Sequence, residues 1–245
     1  MAEAFYMALA GRVIKIRPLY RYIEKQCRNY IIAPQKADII IEISPEDIAR
    51  EKETVTFENG ICSAREDYLE SLAVYRKIAV SMIPYNVLLF HGSAIAVDGR
   101  EGYLFIAPSG TGKSTHTALW RQLLGDRTVM INDDKPLLYC GRDQVTVCGT
   151  PWDGKHHLSS NQEVPLKAIC ILERHTTNRI VEISRQEALP NLLQQCYQPE
   201  DHAFALRTLQ LLEIITDRVK LYRLGCNMEL SAAEIAYRGM KEGEL

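Results

Sequence analysis

The sequence predicts an α/β fold that carries a phosphate-binding loop, with a small α+β region in front of it. From Tyr85 onward, strand-like and helix-like segments alternate along the chain, and this alternation is typical of α/β domains. A glycine-rich stretch with a lysine, residues 107–115, stands between an apolar strand and an amphipathic helix. Residues 1–64 contain only short elements, so we expect an N-terminal α+β region at 1–64 and an α/β domain at 65–245.

The composition is that of an ordinary globular protein. The chain has 245 residues, a net charge of −2 and 47% hydrophobic residues. Both charge signs are interspersed, so we expect neither a nucleic acid nor a membrane surface as partner. The apolar start is broken by Arg12 and Lys15, and no run reaches the roughly 20 apolar residues that span a bilayer. Seven scattered cysteines without a C-x-x-C pair indicate buried free thiols in a reducing compartment, so we expect a cytoplasmic protein.

The elements predicted within residues 1–64 follow from local patterns. Isoleucines alternate with basic residues over positions 14–17, as in a half-buried strand. Pro45 fits the first position of a helix, and Asn59-Gly60 between apolar flanks is a strong hairpin signal. In order, these patterns predict a strand at 12–19, a short helix at 20–30, a strand at 37–43, a helix from 45 and a hairpin across 54–62.

The elements predicted after residue 64 follow from helical spacing, apolar runs and capping signals. His91-Gly92 interrupts one strand-like run, and Gly125 ends the helix that follows the glycine-rich stretch. Ser184 and Ser231 each begin a capping box. These signals predict helices at 66–82, 114–124, 184–196, 201–219 and from 231, and strands at 88–97, 102–107, 128–131, 145–148, 166–172 and 221–225.

The glycine-rich stretch has the residue types of a P-loop. Glycines let successive N–H groups converge on an anion, and the helix that follows points its positive end at the same place. Lys113 would reach the β- and γ-phosphates, and the Ser114 hydroxyl suits Mg²⁺ coordination. Ala107 replaces the first glycine of the usual pattern, so we expect a negative φ there. The alternative is an ordinary turn before a helix. The residues predicted to bind ATP are Ser109, Gly110, Thr111, Gly112, Lys113, Ser114 and Thr115.

Two adjacent carboxylates, Asp133 and Asp134, end the strand predicted after that helix. Many P-loop proteins hold Mg²⁺ with a strand-terminal aspartate. Side chains of adjacent strand residues point in opposite directions, so one carboxylate could serve the metal while the other faces an acceptor hydroxyl. The alternative is a turn role before Pro136. His91 alone fits a satisfied core histidine, and an acidic partner near the loop would favour a functional role.

Taken together, these motifs resemble the catalytic core of HPr kinase/phosphorylase. The resemblance rests on Phe90-His91-Gly92, on the Ser-Gly-Thr-Gly-Lys-Ser loop and on Asn132-Asp133-Asp134, within about residues 88–138. The loop with a later Asp-Asp is also similar to phosphoenolpyruvate carboxykinase. The resemblance implies a P-loop core of that type with a mixed sheet, and HPr kinases assemble, which implies a homo-oligomer. The chain is similar to HPr-kinase-like proteins, some of which accompany modified-peptide biosynthesis.

The same resemblance implies roles for individual residues. Asp133 would be the general base on the acceptor hydroxyl, and His91 would sit near Asp133 and tune it. Lys113 and Ser114 correspond to the Lys-Ser pair, and Asp134 would be the partner of Mg²⁺ together with Ser114. The sequence shows no match to the second signature region of HPr kinases, which helps to run the reverse reaction.

A second loop, residues 149–157, combines glycines, a lysine, a tryptophan and two histidines. In one interpretation Lys155 faces the γ-phosphate and Trp152 forms a wall of the pocket. In the other, the segment is a hairpin connection with a solvated cation and a packed indole. Arg174, which follows a predicted strand, would contact either phosphate or a surface acid.

The function that these observations favour is an ATP-dependent kinase using Mg²⁺. The γ-phosphate would pass to a hydroxyl of a peptide or protein serine or of a small alcohol. Two alternatives remain open: a non-catalytic switch that binds ATP, and a phosphorylase or phosphatase acting on phosphoserine.

Overall fold

The computed structural model describes residues 2–59 and 63–242. Contacts divide the chain into two compact units, Met1–Tyr85 and Asn86–Leu245. The elements of the first unit are, in chain order, β1 (Phe5–Leu9), β2 (Arg12–Arg17), α1 (Tyr22–Gln26), β3 (Ile31–Ile32), β4 (Ile39–Glu42), α2 (Pro45–Asn59) and α3 (Glu66–Met82). Helix α3 groups with this unit because it packs on α1, α2 and β4, whereas the sequence analysis assigned it to the part after residue 64.

The strands of the first unit form a sheet in the order β3-β1-β2-β4. β1 and β2 form an antiparallel hairpin, and the turn between them has positive φ at Ala10 and Gly11. β2 pairs in parallel with β4. Ile14 and Ile16 of β2 are fully buried, so the alternation in the sequence is confirmed. The sequence analysis missed β1, although it also has alternating burial.

Helix α2 replaces part of a predicted hairpin. It begins at Pro45 as predicted, but it continues to Asn59, so a strand over 54–59 is wrong. The Thr54 and Thr56 hydroxyls donate to carbonyls one helical turn earlier, at 3.0 and 2.7 Å. Packing of α2 on α3 outweighs the local turn signal. The rest of that predicted hairpin, residues 60–62, lies outside the described residues.

The second unit alternates strands and helices around one large sheet. Its elements are β5 (Val87–Leu89), β6 (Ser93–Val97), β7 (Glu101–Ile106), α4 (Lys113–Leu124), β8 (Thr128–Asn132), β9 (Leu137–Cys140), β10 (Val145–Cys148), β11 (Glu163–Arg174), β12 (Arg179–Glu182), α5 (Arg185–Gln195), α6 (His202–Arg218), β13 (Lys220–Cys226) and α7 (Leu230–Glu242).

The large sheet is mixed, which confirms the predicted α/β class with a mixed sheet. Its main path runs β5-β9-β10-β11-β7-β6-β8, and β13 pairs with β11 and β12. β7 and β13 both run parallel to the long strand β11, while the other pairs are antiparallel. Parallel strands end at the same edge of a sheet, so the segments that follow β7 and β11 emerge side by side.

Helices α4 and α7 pack against each other and against an apolar core on the sheet. The core includes the fully buried Tyr103, Phe105 and Trp120. The Trp120 ring lies 5.0 Å from the Tyr103 ring and 5.2 Å from the Phe105 ring, measured between centroids. Burial of these large side chains fixes α4 on β7. The loop between β7 and α4 is thereby held at both ends.

Two capping predictions have different outcomes. Ser184 caps α5 with a full capping box, and Pro190 lies inside this helix without interrupting it. The second capping box is wrong, because α7 already begins at Leu230 and Ser231 lies within it. The Ser231 hydroxyl instead accepts a hydrogen bond from Asn178 Nδ2 at 2.9 Å. Among the described residues, no helix combines the length and apolarity that crossing a membrane requires.

Candidate active site

The glycine-rich loop connects the end of β7 to the start of α4. Gly110 and Gly112 adopt φ values of 77° and 123°, which only glycine adopts without strain. A Cβ at either position would meet nothing within 4 Å, so the loop has open space on that side. Ala107 does not have a positive φ, and that prediction is confirmed. The loop is therefore a backbone turn at the N-terminus of a helix, with open space beside both glycines.

Lys113 is the first residue of α4, and it is only 8% exposed. Its Nζ donates to Ala107 O at 2.8 Å, so the ammonium lies inside the turn of the loop. Burial lowers the pKa of Lys113; the carboxylate of Asp134 opposes this shift and the ammonium of Lys135 adds to it. The lysine therefore lies within electrostatic range of groups that follow β8.

Arg174 connects the loop to the neighbouring strand. It ends β11, and its guanidinium donates to Gly110 O and, at 3.3 Å from Nε, to Thr111 O. These bonds hold the carbonyls of Gly110 and Thr111 in place. From the sequence, Arg174 was expected to contact either phosphate or a surface acid. The contact with the backbone of the loop is neither of these. Among the remaining predicted loop residues, Ser109 and Thr115 are exposed and Ser114 is half-buried.

Asp133 follows β8 and is 6% exposed. The Ser93 hydroxyl donates to Asp133 Oδ1 at 2.7 Å and lies 3.1 Å from the Thr117 hydroxyl. Since the single hydroxyl proton of Ser93 goes to Asp133, the Thr117 hydroxyl is the donor to Ser93. Two hydrogen bonds thus connect Asp133 to α4 at Thr117, three residues after Ser114.

Asp134 has a different environment from its neighbour. His91 Nε2 and Lys135 Nζ each lie 3.5 Å from Asp134 Oδ1. The resemblance implied a position of His91 near Asp133, but the structure places His91 beside Asp134. The side chain of Asp134 is 31% exposed, so a solvent-borne group has access to this carboxylate.

The backbone holds His91 in place between β5 and β6. Its N–H donates to Gln195 O at 2.7 Å, and the next amide, of Gly92, donates to Asp134 O at 3.0 Å. Burial lowers the pKa of His91 to about 4, and Lys135 and Lys113 act in the same direction. His91 is therefore neutral at pH 7.

Asn132 organises both the acid pair and the second loop, and sequence reasoning gave it no role. Its Oδ1 accepts from the N–H groups of Asp134 and Lys135 at 2.8 and 2.6 Å. Its Nδ2 donates to Thr150 O at 2.9 Å and to Trp152 O at 3.2 Å. The side chain is fully buried. The only signal in the sequence was its place directly before two aspartates.

The second loop passes directly against Asp134. A Cβ on Gly154, which has φ 69°, would stand 3.2 Å from Asp134 Cβ. Trp152 is buried, which fits both interpretations of its indole, as a wall of the pocket and as a packed side chain. Lys155, His156 and His157 are exposed. His157 pairs with Asp153 at 3.2 Å. In residues 2–59 and 63–242, no three His, Cys, Asp or Glu side chains are grouped as metal ligands.

The fold and these contacts define an α/β protein in which a glycine-rich loop, a buried lysine and two aspartates come together at one edge of a mixed sheet. A family model described as "ScmC: SynChlorMet cassette protein ScmC" matches residues 64–232. The chain belongs to this family. The match includes the loop, both aspartates and the second loop.

Among solved structures, the chain is similar to the Hpr(Ser) kinase/phosphatase from Coxiella burnetii. The two are 14% identical, the match covers 51% of this chain and 93% of that one, and the TM-score is 0.27. No curated protein matches the chain.

Proposed function

We propose that the chain is an ATP-dependent kinase of the HPr-kinase type, which passes the γ-phosphate to a hydroxyl of a peptide, a protein or a small alcohol. One observation carries the proposal. The buried ammonium of Lys113, at the start of the helix that follows a glycine turn, lies within electrostatic range of Asp133 and Asp134 from another strand. Phosphoryl transfer needs these parts: a phosphate cradle, a cation, a metal-binding acid and a base.

The loop fits the phosphates of ATP on structural grounds. The side on which Cβ atoms of Gly110 and Gly112 would stand is open, so an anion can approach the backbone there. The first amides of α4 lack partners within the helix and favour an anion. Lys113 needs only to exchange its bond to Ala107 O for a phosphate oxygen.

The residues present also fit Mg²⁺, which would neutralise charge on the phosphates during transfer. Oxygen ligands suit this ion, and both Ser114 and Asp133 supply them. The hydrogen bonds from Ser93 to Asp133 and from Thr117 to Ser93 tie Asp133 to α4, three residues after Ser114. We therefore assign Asp133 and Ser114 as the ligands of the metal. The resemblance implied the opposite roles, with Asp134 at the metal and Asp133 as the base.

Asp134 is then the general base. It is more exposed than Asp133, and His91 Nε2 and Lys135 Nζ both lie 3.5 Å from its Oδ1. The acceptor oxygen forms a bond to the γ-phosphorus, its proton passes to Asp134, and the bond to the β–γ bridging oxygen breaks to release ADP. Lys155 follows Gly154, whose backbone passes close to Asp134, and would reach the transferred group from the second loop.

The test is a matched pair of isosteric variants, Asp133→Asn and Asp134→Asn, with the exposed Asp126→Asn as control. Transfer of label from ATP to lysate proteins and candidate peptides is measured beside ATP binding. Asp134→Asn should lower transfer by about 100-fold or more while ATP still binds. Asp133→Asn should weaken the Mg²⁺ dependence of ATP binding by about 10-fold or more.

Other outcomes would support a different function. Binding of ATP without transfer to any acceptor would favour a non-catalytic switch. Release of pyrophosphate after inorganic phosphate is added to a phosphorylated acceptor would indicate phosphorolysis. Equal transfer by the wild type and both variants would remove the two aspartates from the reaction.

A further inference from the structure

Lys135 lies beside the proposed base, and the steps above give it no contact with the nucleotide. Its backbone is fixed at both ends, because its N–H donates to Asn132 Oδ1 at 2.6 Å and its carbonyl accepts from the Thr150 hydroxyl at 2.8 Å. Its side chain is 23% exposed, with Nζ 3.5 Å from Asp134 Oδ1. The ammonium is thus held near the acid pair and retains access to solvent.

The ammonium of Lys135 lies at the oxygen of Asp134 that His91 also approaches, since Nζ and Nε2 are each 3.5 Å from Oδ1. With Asp134 as the base, the hydroxyl that it deprotonates stands at attacking distance from the γ-phosphorus. A cation beside this carboxylate therefore lies next to the transferred group.

The carboxylate of Asp134 favours a cation at this place. With Mg²⁺ at Asp133 and Lys113 at the loop, Asp134 is the carboxylate that would still repel the transferred phosphate. The ammonium of Lys135 lies beside Asp134 and offsets this repulsion.

We propose that Lys135 is a catalytic residue that binds the γ-phosphoryl group. This inference rests on the proposed kinase function. The position of Lys135, directly after the base, places it at the transferred group rather than at the α- and β-phosphates, which would lie along the loop. Lys135 therefore distinguishes ATP from ADP.

A purely structural role makes a different prediction. If Lys135 only neutralised Asp134, its loss would lower stability and would change the affinities for ATP and ADP by the same factor. A role at the γ-phosphate changes the affinity for ATP alone.

The experiment measures the affinities of the full chain for ATP and for ADP by calorimetry with Mg²⁺ present. The variants are Lys135→Met and Lys135→Arg, and the control is Lys220→Met, whose side chain is 49% exposed and 3.9 Å from Glu182. Lys135→Met should bind ATP about 10- to 100-fold more weakly, the usual loss for one charge-assisted hydrogen bond. Its affinity for ADP should stay unchanged, Lys135→Arg should keep the preference for ATP, and the control should match the wild type.

The outcomes separate this inference from the proposed function. If the wild type binds neither nucleotide, the kinase proposal fails and the role of Lys135 fails with it. If the wild type binds ATP and Lys135→Met keeps the same ratio of ATP to ADP affinity, the role of Lys135 alone is overturned. Circular dichroism checks folding, and Lys135→Gln, judged by the same ratio, replaces Lys135→Met if that variant does not fold.

Discussion

At the scale of single residues, the candidate site depends on side chains that hold other residues in place. Asn132 connects the backbone of Asp134 to the backbone of the second loop, through both ends of its amide. The Ser93 hydroxyl connects the carboxylate of Asp133 to the Thr117 hydroxyl on α4. The sequence identified the residues with obvious chemistry, because lysine, aspartate and histidine have recognisable roles. It could not identify Asn132 or Ser93, because their partners are distant along the chain.

The first prediction concerns Asn132→Ala. The change removes a fully buried amide and leaves the N–H groups of Asp134 and Lys135 without their acceptor. The free energy of unfolding should fall by about 2–4 kcal/mol, since each buried group left without a partner costs 1–3 kcal/mol. Urea denaturation measures this, with Gln186→Ala, a change of an exposed amide on α5, as control. Equal stability of the two variants would contradict the central role of Asn132.

At the scale of elements, periodic patterns were predicted well and long-range pairing was not. The bounds of α3 match the predicted 66–82, because helical spacing over many residues is a strong signal. The short strand β9, Leu137–Cys140, was missed because four residues carry little pattern. The long strand β11 pairs with β10, β7 and β13. Its length depends on these strands, two of which are distant along the chain, so a local sequence pattern does not predict it.

The second prediction concerns the connection between β11 and the phosphate loop. Arg174→Met removes the two bonds to the loop carbonyls, so the amides of the loop should be less well oriented. The affinity for ATP should fall about 10-fold, the value of one to two net hydrogen bonds, and calorimetry measures it. Arg179→Met, an exposed change on β12, should have no effect. An unchanged affinity of Arg174→Met would show that the loop needs no support from β11.

At the scale of the whole molecule, the sequence predicted the class of fold but not its assembly. Alternating strands and helices are enough to predict an α/β domain. The order of the strands and the grouping of α3 with the first unit depend on packing between distant segments. The meeting of the loop, Arg174 and the acid pair at one sheet edge also comes from this strand order.

The third prediction concerns the stability of the whole chain with its proposed ligand. A ligand that binds only the folded state at 100 times its Kd adds about 2.7 kcal/mol of stability. For a chain of this size that should raise Tm by about 5–10 °C. Differential scanning calorimetry with ATP and Mg²⁺ measures the shift, and EDTA should reduce it. An unchanged Tm at millimolar Mg·ATP would count against nucleotide binding.

The central claim is that the loop after β7 holds the phosphates of ATP with Lys113 at its centre. Calorimetric titration of ATP with Mg²⁺ into the wild type and into Lys113→Met tests it most directly. We expect saturable binding by the wild type and a loss of about 100-fold in a folded Lys113→Met protein, since a buried charged contact is removed. Equal affinities of the two proteins, or no binding by the wild type, would contradict the claim.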